Sequence, residues 1–344
     1  MSHSAWGDEK TRFFFELTPD RILSAFEKAS GLRATGRSLA LNSMENRVYD
    51  VEIEVEEGFK GPSYLKSRIV KFYRPGRWSY EQLREEHAFL KDLIADEVPV
   101  AAPTFFNGES LFKDDETQLY FTVFPKVGGR SPYELDDGML EIVGRLLARL
   151  HNVGALKKTG HRICLTPDTY GKVALSYLLK EKKIPPHHEN AYKDVVNRIL
   201  DAINPLFEGV ETFRIHGDCH LGNLLWGDSG PFFVDFDDFV RGPAVQDFWL
   251  LIPGRDEAAR DKMDKMLRAY GQFRDFPYET LNLIEPLRAL RFIHFTAWIS
   301  KRWQDPAFPL AFPDFDTDRY WQQQIADLNE QLQLISGGQP RALY

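Results

Sequence analysis

The reading of this chain turns on His216-Gly217-Asp218-Cys219-His220-Leu221-Gly222-Asn223. Leu224-Leu225-Trp226, a Gly-Asp-Ser-Gly turn at 227–230 and Phe232-Phe233-Val234-Asp235-Phe236 come after it. Two short apolar runs around a glycine-bearing polar turn read as a tight hairpin. The loop before the hairpin presents Asp218 and Asn223, and the returning strand brings Asp235 back beside that loop. Two carboxylates and an amide oxygen then converge. Such hard oxygen ligands suit Mg²⁺, above all where substrate phosphates complete the shell.

Upstream of this cluster the first quarter of the chain reads as sheet. Arg47–Val55 alternates apolar and polar residues, Arg68–Tyr73 is short and β-branched, and Leu119–Phe124 repeats the pattern. Between them, Ser79–Ala95 places Leu83, Leu90 and Leu93 on one helical face, with Ser79 as its cap. The stretch Pro125–Gly129 reads as a linker. Beyond it the periodicity is mainly helical, over 136–156, 190–207, 256–272, 279–303 and 318–335. The expected organisation is a sheet-rich lobe over 1–124, a hinge at 125–129, a helical lobe over 130–335 and a tail at 336–344.

Composition excludes several classes. With 43% apolar and 27% charged residues the chain can bury a large core, and its net charge of −8 argues against nucleic acid or anionic lipid as the main partner. Two cysteines, Cys164 and Cys219, make neither a disulfide framework nor a metal knuckle. No apolar run reaches the roughly 18–20 residues of a membrane span. The first residues are acidic where a leader would be basic and then apolar, so the expected compartment is the cytoplasm and the expected state a monomer.

The 216–223 segment resembles the kinase catalytic loop, H-x-D-x-x-x-x-N, and Val234-Asp235-Phe236 resembles the Mg²⁺ site that follows it. The glycine after His216 and the run LARLH at 147–151 are more similar to the aminoglycoside/choline-kinase-like branch. Longer strings resemble the bacterial stress response kinase A family of serine/threonine protein kinases. They are LNSMENRVYDV (41–51), VKFYRPGRWS (70–79), EVPVAAP (97–103), FPKVGGR (124–130), GPAVQDFW (242–249) and RWQDPAFP (302–309).

The resemblance implies an α+β, bilobal protein-kinase-like fold with ATP and Mg²⁺ bound between the lobes. By it, Asp218 accepts the proton of a Ser/Thr hydroxyl on a protein substrate, which includes the enzyme itself. Asn223 and Asp235 hold Mg²⁺. Lys71 pairs with the α/β-phosphates and is held by Glu86 or its neighbour Glu85. The backbone around Phe124 and Lys126 meets adenine. No G-x-G-x-x-G loop exists; Ser43, in the strand turn 41–46, is the phosphate-binding candidate in its place. His220 stands where many protein kinases carry a lysine, and is a candidate phosphate contact. Asp235 and Asp247 lie too close together for a long activation segment.

Plainer readings stand beside these. His216 braces the loop, Cys219 is an inert small side chain, Asp237 and Asp238 are turn or supporting residues, and the 26 phenylalanines pack the core. Asp247 opens a helix and braces loop amides. The rival functions are a small-molecule kinase acting on an alcohol or amino-alcohol, a metallohydrolase built on His216-x-Asp218-x-His220, and a pseudokinase scaffold.

Overall fold

A computed structural model of the chain describes Phe14, residues 17–228 and residues 230–337. The expected tail beyond Gly337, the first residues and Ser229 of the hairpin turn lie outside the described residues. The N-terminal lobe is a five-stranded antiparallel sheet. Its strands are β1 (Ala34–Leu41), β2 (Arg47–Ile53), β3 (Ser67–Phe72), β4 (Phe112–Lys113) and β5 (Tyr120–Pro125), in the order β1-β2-β3-β5-β4. Lys71 on β3 pairs in register with Val48 and Thr122 on the flanking strands, which places it mid-sheet.

The sequence reading missed helix α1 (Pro19–Ser30) within the sheet-rich quarter. Thr18 caps it, Pro19 starts it, and Ile22, Ala25 and Phe26 form its short buried stripe. That stripe packs with Val51, Val70, Phe72 and Phe121 into a small core of its own. With three buried positions, the period is too short to stand out among surrounding apolar residues.

Helix α2 (Tyr80–Ala95) begins as expected. Ser79 accepts from the Gln82 amide and Gln82 returns the bond to the Ser79 amide, a reciprocal capping box. Its inner face enters the core of the second lobe, where Phe89 meets the Phe236 and Phe239 rings at 5.9 and 5.3 Å. The following segment pairs with the hairpin at 224–233: the Phe233 amide donates to the Pro99 carbonyl, and the Ala101 amide donates to the Phe233 carbonyl. This accounts for EVPVAAP. It is the strap that fixes the strand leading to Asp235.

The helical lobe comprises α3 (Asp137–Leu156), α4 (Val173–Lys180), α5 (Pro186–Ile203), α6 (Val245–Trp249) and α7 (Glu257–Tyr270). It continues with α8 (Ile284–Arg302), α9 (Ala307–Ala311) and α10 (Asp318–Ser336). Two two-stranded ribbons sit against it: β6 (Phe213–Ile215) with β9 (Val240–Gly242), and the hairpin β7 (Leu224–Gly227) with β8 (Gly230–Phe233). Among the described residues, no helix is long and apolar enough to cross a membrane.

Phe89 is fully buried where α2 enters the second lobe, so Phe89→Ala is expected to cost about 3–5 kcal/mol of stability. Urea denaturation followed by tryptophan fluorescence measures it. A loss under about 1 kcal/mol would show that α2 is not fastened there.

Candidate active site

The loop at 216–223 follows β6 and is braced from below. Asp247, fully buried on α6, accepts from the His216 and Gly217 amides at 2.8 Å each. Its Oδ2 also meets His151 Nε2 at 3.1 Å, which explains the histidine of LARLH. Gly217 has φ +84°, and a Cβ there would lie 2.4 Å from the Asp238 carbonyl oxygen, so only glycine fits. His216 donates from Nε2 to the Val234 carbonyl at 2.9 Å and accepts the Asp218 amide on Nδ1 at 3.4 Å. Both ring nitrogens are engaged within the loop. His216 is therefore a brace and offers no metal ligand, which removes the basis of the metallohydrolase reading.

Asp218 then faces the cleft with both oxygens engaged. Arg291 Nη1 on α8 lies 2.8 Å from Oδ1, and His220 Nε2 lies 3.4 Å from Oδ2. Burial would raise the Asp218 carboxyl, but the His220 contact and the Arg291 charge outweigh it and hold it well below the usual carboxylate range. His220 accepts the Gly222 amide on Nδ1 at 3.0 Å, so its other nitrogen is turned toward Asp218. The hydrogen bond to Asp218 raises its pKa against burial.

Asn223 donates from Nδ2 to the Asp218 carbonyl at 3.0 Å, which leaves Oδ1 as an acceptor. Its own carbonyl accepts from the Val234 amide at 3.0 Å, so the hairpin returns Asp235 beside Asn223 as its spacing predicted. Asp235 has φ +60°, and its side chain stays half exposed in the cleft.

One expected pair is corrected. Lys71 does not pair with Glu86; its Nζ lies 2.9 Å from Asp235 Oδ1 and 3.2 Å from Asp237 Oδ1. Glu86 gives its carboxylate to Arg162 at 2.9 Å. A fully buried guanidinium cannot shed its charge and requires a carboxylate partner, and Glu86 is the one it meets. Burial pushes Glu86 up to about 7 against the pull of Lys71 and Arg162. Glu85 is no partner for the lysine either; it accepts the amides of Gly160, His161 and Arg162.

Asp237 is the residue that sequence reasoning undervalued. Buried in the turn after β8, it accepts from Asn46 at 2.9 Å and binds Arg77 as well as Lys71. Arg291 was missed altogether, because one arginine in a long amphipathic helix carries no motif. Arg74, Arg77 and Arg302 surround Glu45 in the β1–β2 turn, and Trp298 donates to it at 2.7 Å.

A cavity of ≈570 Å³ lies between the lobes. Val48, Ile69, Ala101 and Phe124 give it an apolar part, and Lys71, Asp218, Asn223 and Asp235 give it a polar one. Ser43 and Lys126 also line it. Ser43 Oγ accepts the Asn46 amide at 3.3 Å, and the Lys126 ammonium is bound by Asp50. Cys219 is buried, and burial pushes its thiol well up, in keeping with an inert side chain.

The pattern that defines the phosphotransferase enzyme family (APH) matches residues 39–284, from β1 to the start of α8. This chain belongs to that family. The phosphotransferase is 40% identical over 325 residues to stress response kinase A of Escherichia coli (strain K12), covering 94% of both chains. It is 39% identical over 333 residues to the serine/threonine protein kinase RdoA of Salmonella typhimurium (strain LT2), again covering 94% of both. It is therefore a member of the stress response kinase A family. Its fold is similar to that of the amicoumacin kinase hAmiN, solved with AMP-PNP and Ca²⁺. The TM-score is 0.66 at 19% identity, covering 88% of this chain and 92% of that one. A microcompartment-associated aminopropanol kinase gives a TM-score of 0.65 at 18% identity, covering 91% and 95%.

The guanidinium groups around Glu45 hold its carboxyl at about 2 despite burial. A depressed carboxyl stabilises the fold above its unfolded value near 4.5, and that contribution disappears as pH falls toward 2. Wild type is therefore expected to be more stable than Glu45→Gln at pH 7, with the gap narrowing below about pH 4.5. Urea denaturation of both at pH 7, 5 and 3.5 checks this, and a gap independent of pH would contradict it.

Proposed function

We propose that this phosphotransferase is an ATP- and Mg²⁺-dependent serine/threonine protein kinase of the bacterial stress response. The observation that carries the reading is the convergence of Asp218, Asn223, Asp235 and Lys71 on one cleft. The names of its relatives support a protein acceptor and a stress role.

The residues fit a magnesium ion. Asn223 keeps an amide oxygen free, and the hairpin sets a half-exposed carboxylate beside it, which is a hard-oxygen donor set. Bound with the nucleotide, Mg²⁺ would neutralise charge on the phosphates. In this reading the adenine takes the apolar part of the cavity and meets backbone groups of Phe124, Pro125, Lys126 and Val127, the hinge. Lys71, held by Asp235 and Asp237, faces the α/β-phosphates, with Ser43 in the turn above. The acceptor hydroxyl lies on Asp218. As its oxygen bonds to the γ-phosphorus, the bond from that phosphorus to the bridging oxygen breaks, ADP leaves with the electron pair, and the proton passes to Asp218. A carboxylate held so far down is a weak base. This suits a loose transition state in which the proton leaves late and the main task is orientation.

Asp218→Ala is expected to abolish transfer while nucleotide binding persists, since the base touches the acceptor and not adenine. Asp235→Ala is expected to lose the tightening of ATP binding by Mg²⁺ as well. Transfer of labelled phosphate to protein Ser/Thr, run beside a panel of alcohols and amino-alcohols, tests the acceptor class. Isothermal titration of ATP with and without Mg²⁺ tests the metal. Wild-type transfer by Asp218→Ala, or unchanged Mg²⁺ dependence in Asp235→Ala, would reject the assignments.

A further inference from the structure

Asp218 also lines a second, smaller cavity of ≈180 Å³ that neither Lys71 nor Asp235 reaches. Leu165, Leu287, Leu290 and Phe295 supply much of its wall. Of the acids that line it, Glu45 is bound by Arg302, and Asp238 gives one oxygen to Arg77. His294 is partly buried, and desolvation and then the charge of Arg291 push it down to about 3, so it is neutral near pH 7.

Arg291 differs from the other basic groups here. Arg77 is buried and shared between Asp237 and Asp238. Arg291 has a side chain 40% exposed, and among the described residues its single hydrogen-bond partner is the Asp218 carboxylate. A guanidinium carries five N–H donors in a rigid fork suited to carboxylate or phosphate, and one donor is used here.

We propose that Arg291 reads an anionic group carried by the acceptor next to its hydroxyl. This rests on the phosphotransfer reading and names the acceptor chemistry. An ammonium beside the hydroxyl would be repelled by Arg291. A carboxylate or phosphate matches the fork, draws the guanidinium toward itself and frees an Asp218 oxygen for the hydroxyl. On a protein, the acceptor is a Ser or Thr with Asp, Glu or a phosphorylated residue as neighbour. Arg291 is then both cover and receptor for the base.

The test uses the full chain with ATP and Mg²⁺ and a matched peptide series around one central serine. The neighbours are set to Asp, phosphoserine, Asn or Lys, and the Asp and phosphoserine arms separate carboxylate from phosphate as the preferred anion. Wild type is expected to favour at least one anionic arm over Asn by roughly 10-fold or more in kcat/KM, mostly through KM, as fits one charge-assisted pair, with Lys poorest. Arg291→Ala should erase the gap between peptides without changing the KM for ATP, Arg291→Lys should keep part of it, and Arg291→Glu should invert it. Equal use of all peptides by wild type, or a gap that survives in Arg291→Ala, would overturn the proposal. If no peptide is phosphorylated, the protein-acceptor reading falls. The same variants assayed on hydroxy-acids against amino-alcohols then decide the anion preference, and a wild-type preference for amino-alcohols overturns it.

Discussion

The cleft depends on the ion cluster around Asp237. A carboxylate 3% exposed is tolerable only if cations and donors surround it, and Lys71, Arg77 and Asn46 do so. These partners come from β3, from the loop ahead of α2 and from the β1–β2 turn. The turn that carries Asp235 is thereby tied to the sheet that carries Lys71. Each buried charge has few acceptable positions, so the cluster fixes geometry more than it adds stability. Three of the strings quoted from the sequence end here or one contact away. Arg74 and Arg77 come from VKFYRPGRWS, Glu45 and Asn46 from LNSMENRVYDV, and Arg302 and Asp305 from RWQDPAFP.

Asp247 does the same for the catalytic loop. Two backbone amides and a histidine converge on one buried carboxylate, and the loop has almost no freedom left at His216 and Gly217. Asp218 therefore sits on a rigid platform, while its own carboxylate is held by the side chains of Arg291 and His220.

The sequence was most legible where function and local geometry coincide. The hairpin spacing brought Val234, next to Asp235, onto Asn223, the Ser79 cap located α2, and the 3.6-residue periods located the long helices of the second lobe. Helix α1 escaped because a three-residue buried stripe is a weak periodic signal. The partner of Lys71 escaped for another reason. Glu86 stands on the expected helix, but nothing in the sequence shows that Arg162, some 75 residues away, will claim it. Long-range competition between buried charges leaves no local trace. Arg291 was invisible on the same ground: its significance lies in what α8 faces.

The β1–β2 turn at residues 42–46 has no glycine, and Glu45 ties it across the cleft to Arg302 and Trp298 of α8. A glycine-rich loop loses its conformational freedom when nucleotide arrives, and that loss weakens binding. Here the freedom is surrendered once, at folding, so the turn over the cleft is already in place before anything enters it. The position of this turn thus depends on the integrity of an interlobe clasp rather than on the ordering of a flexible flap.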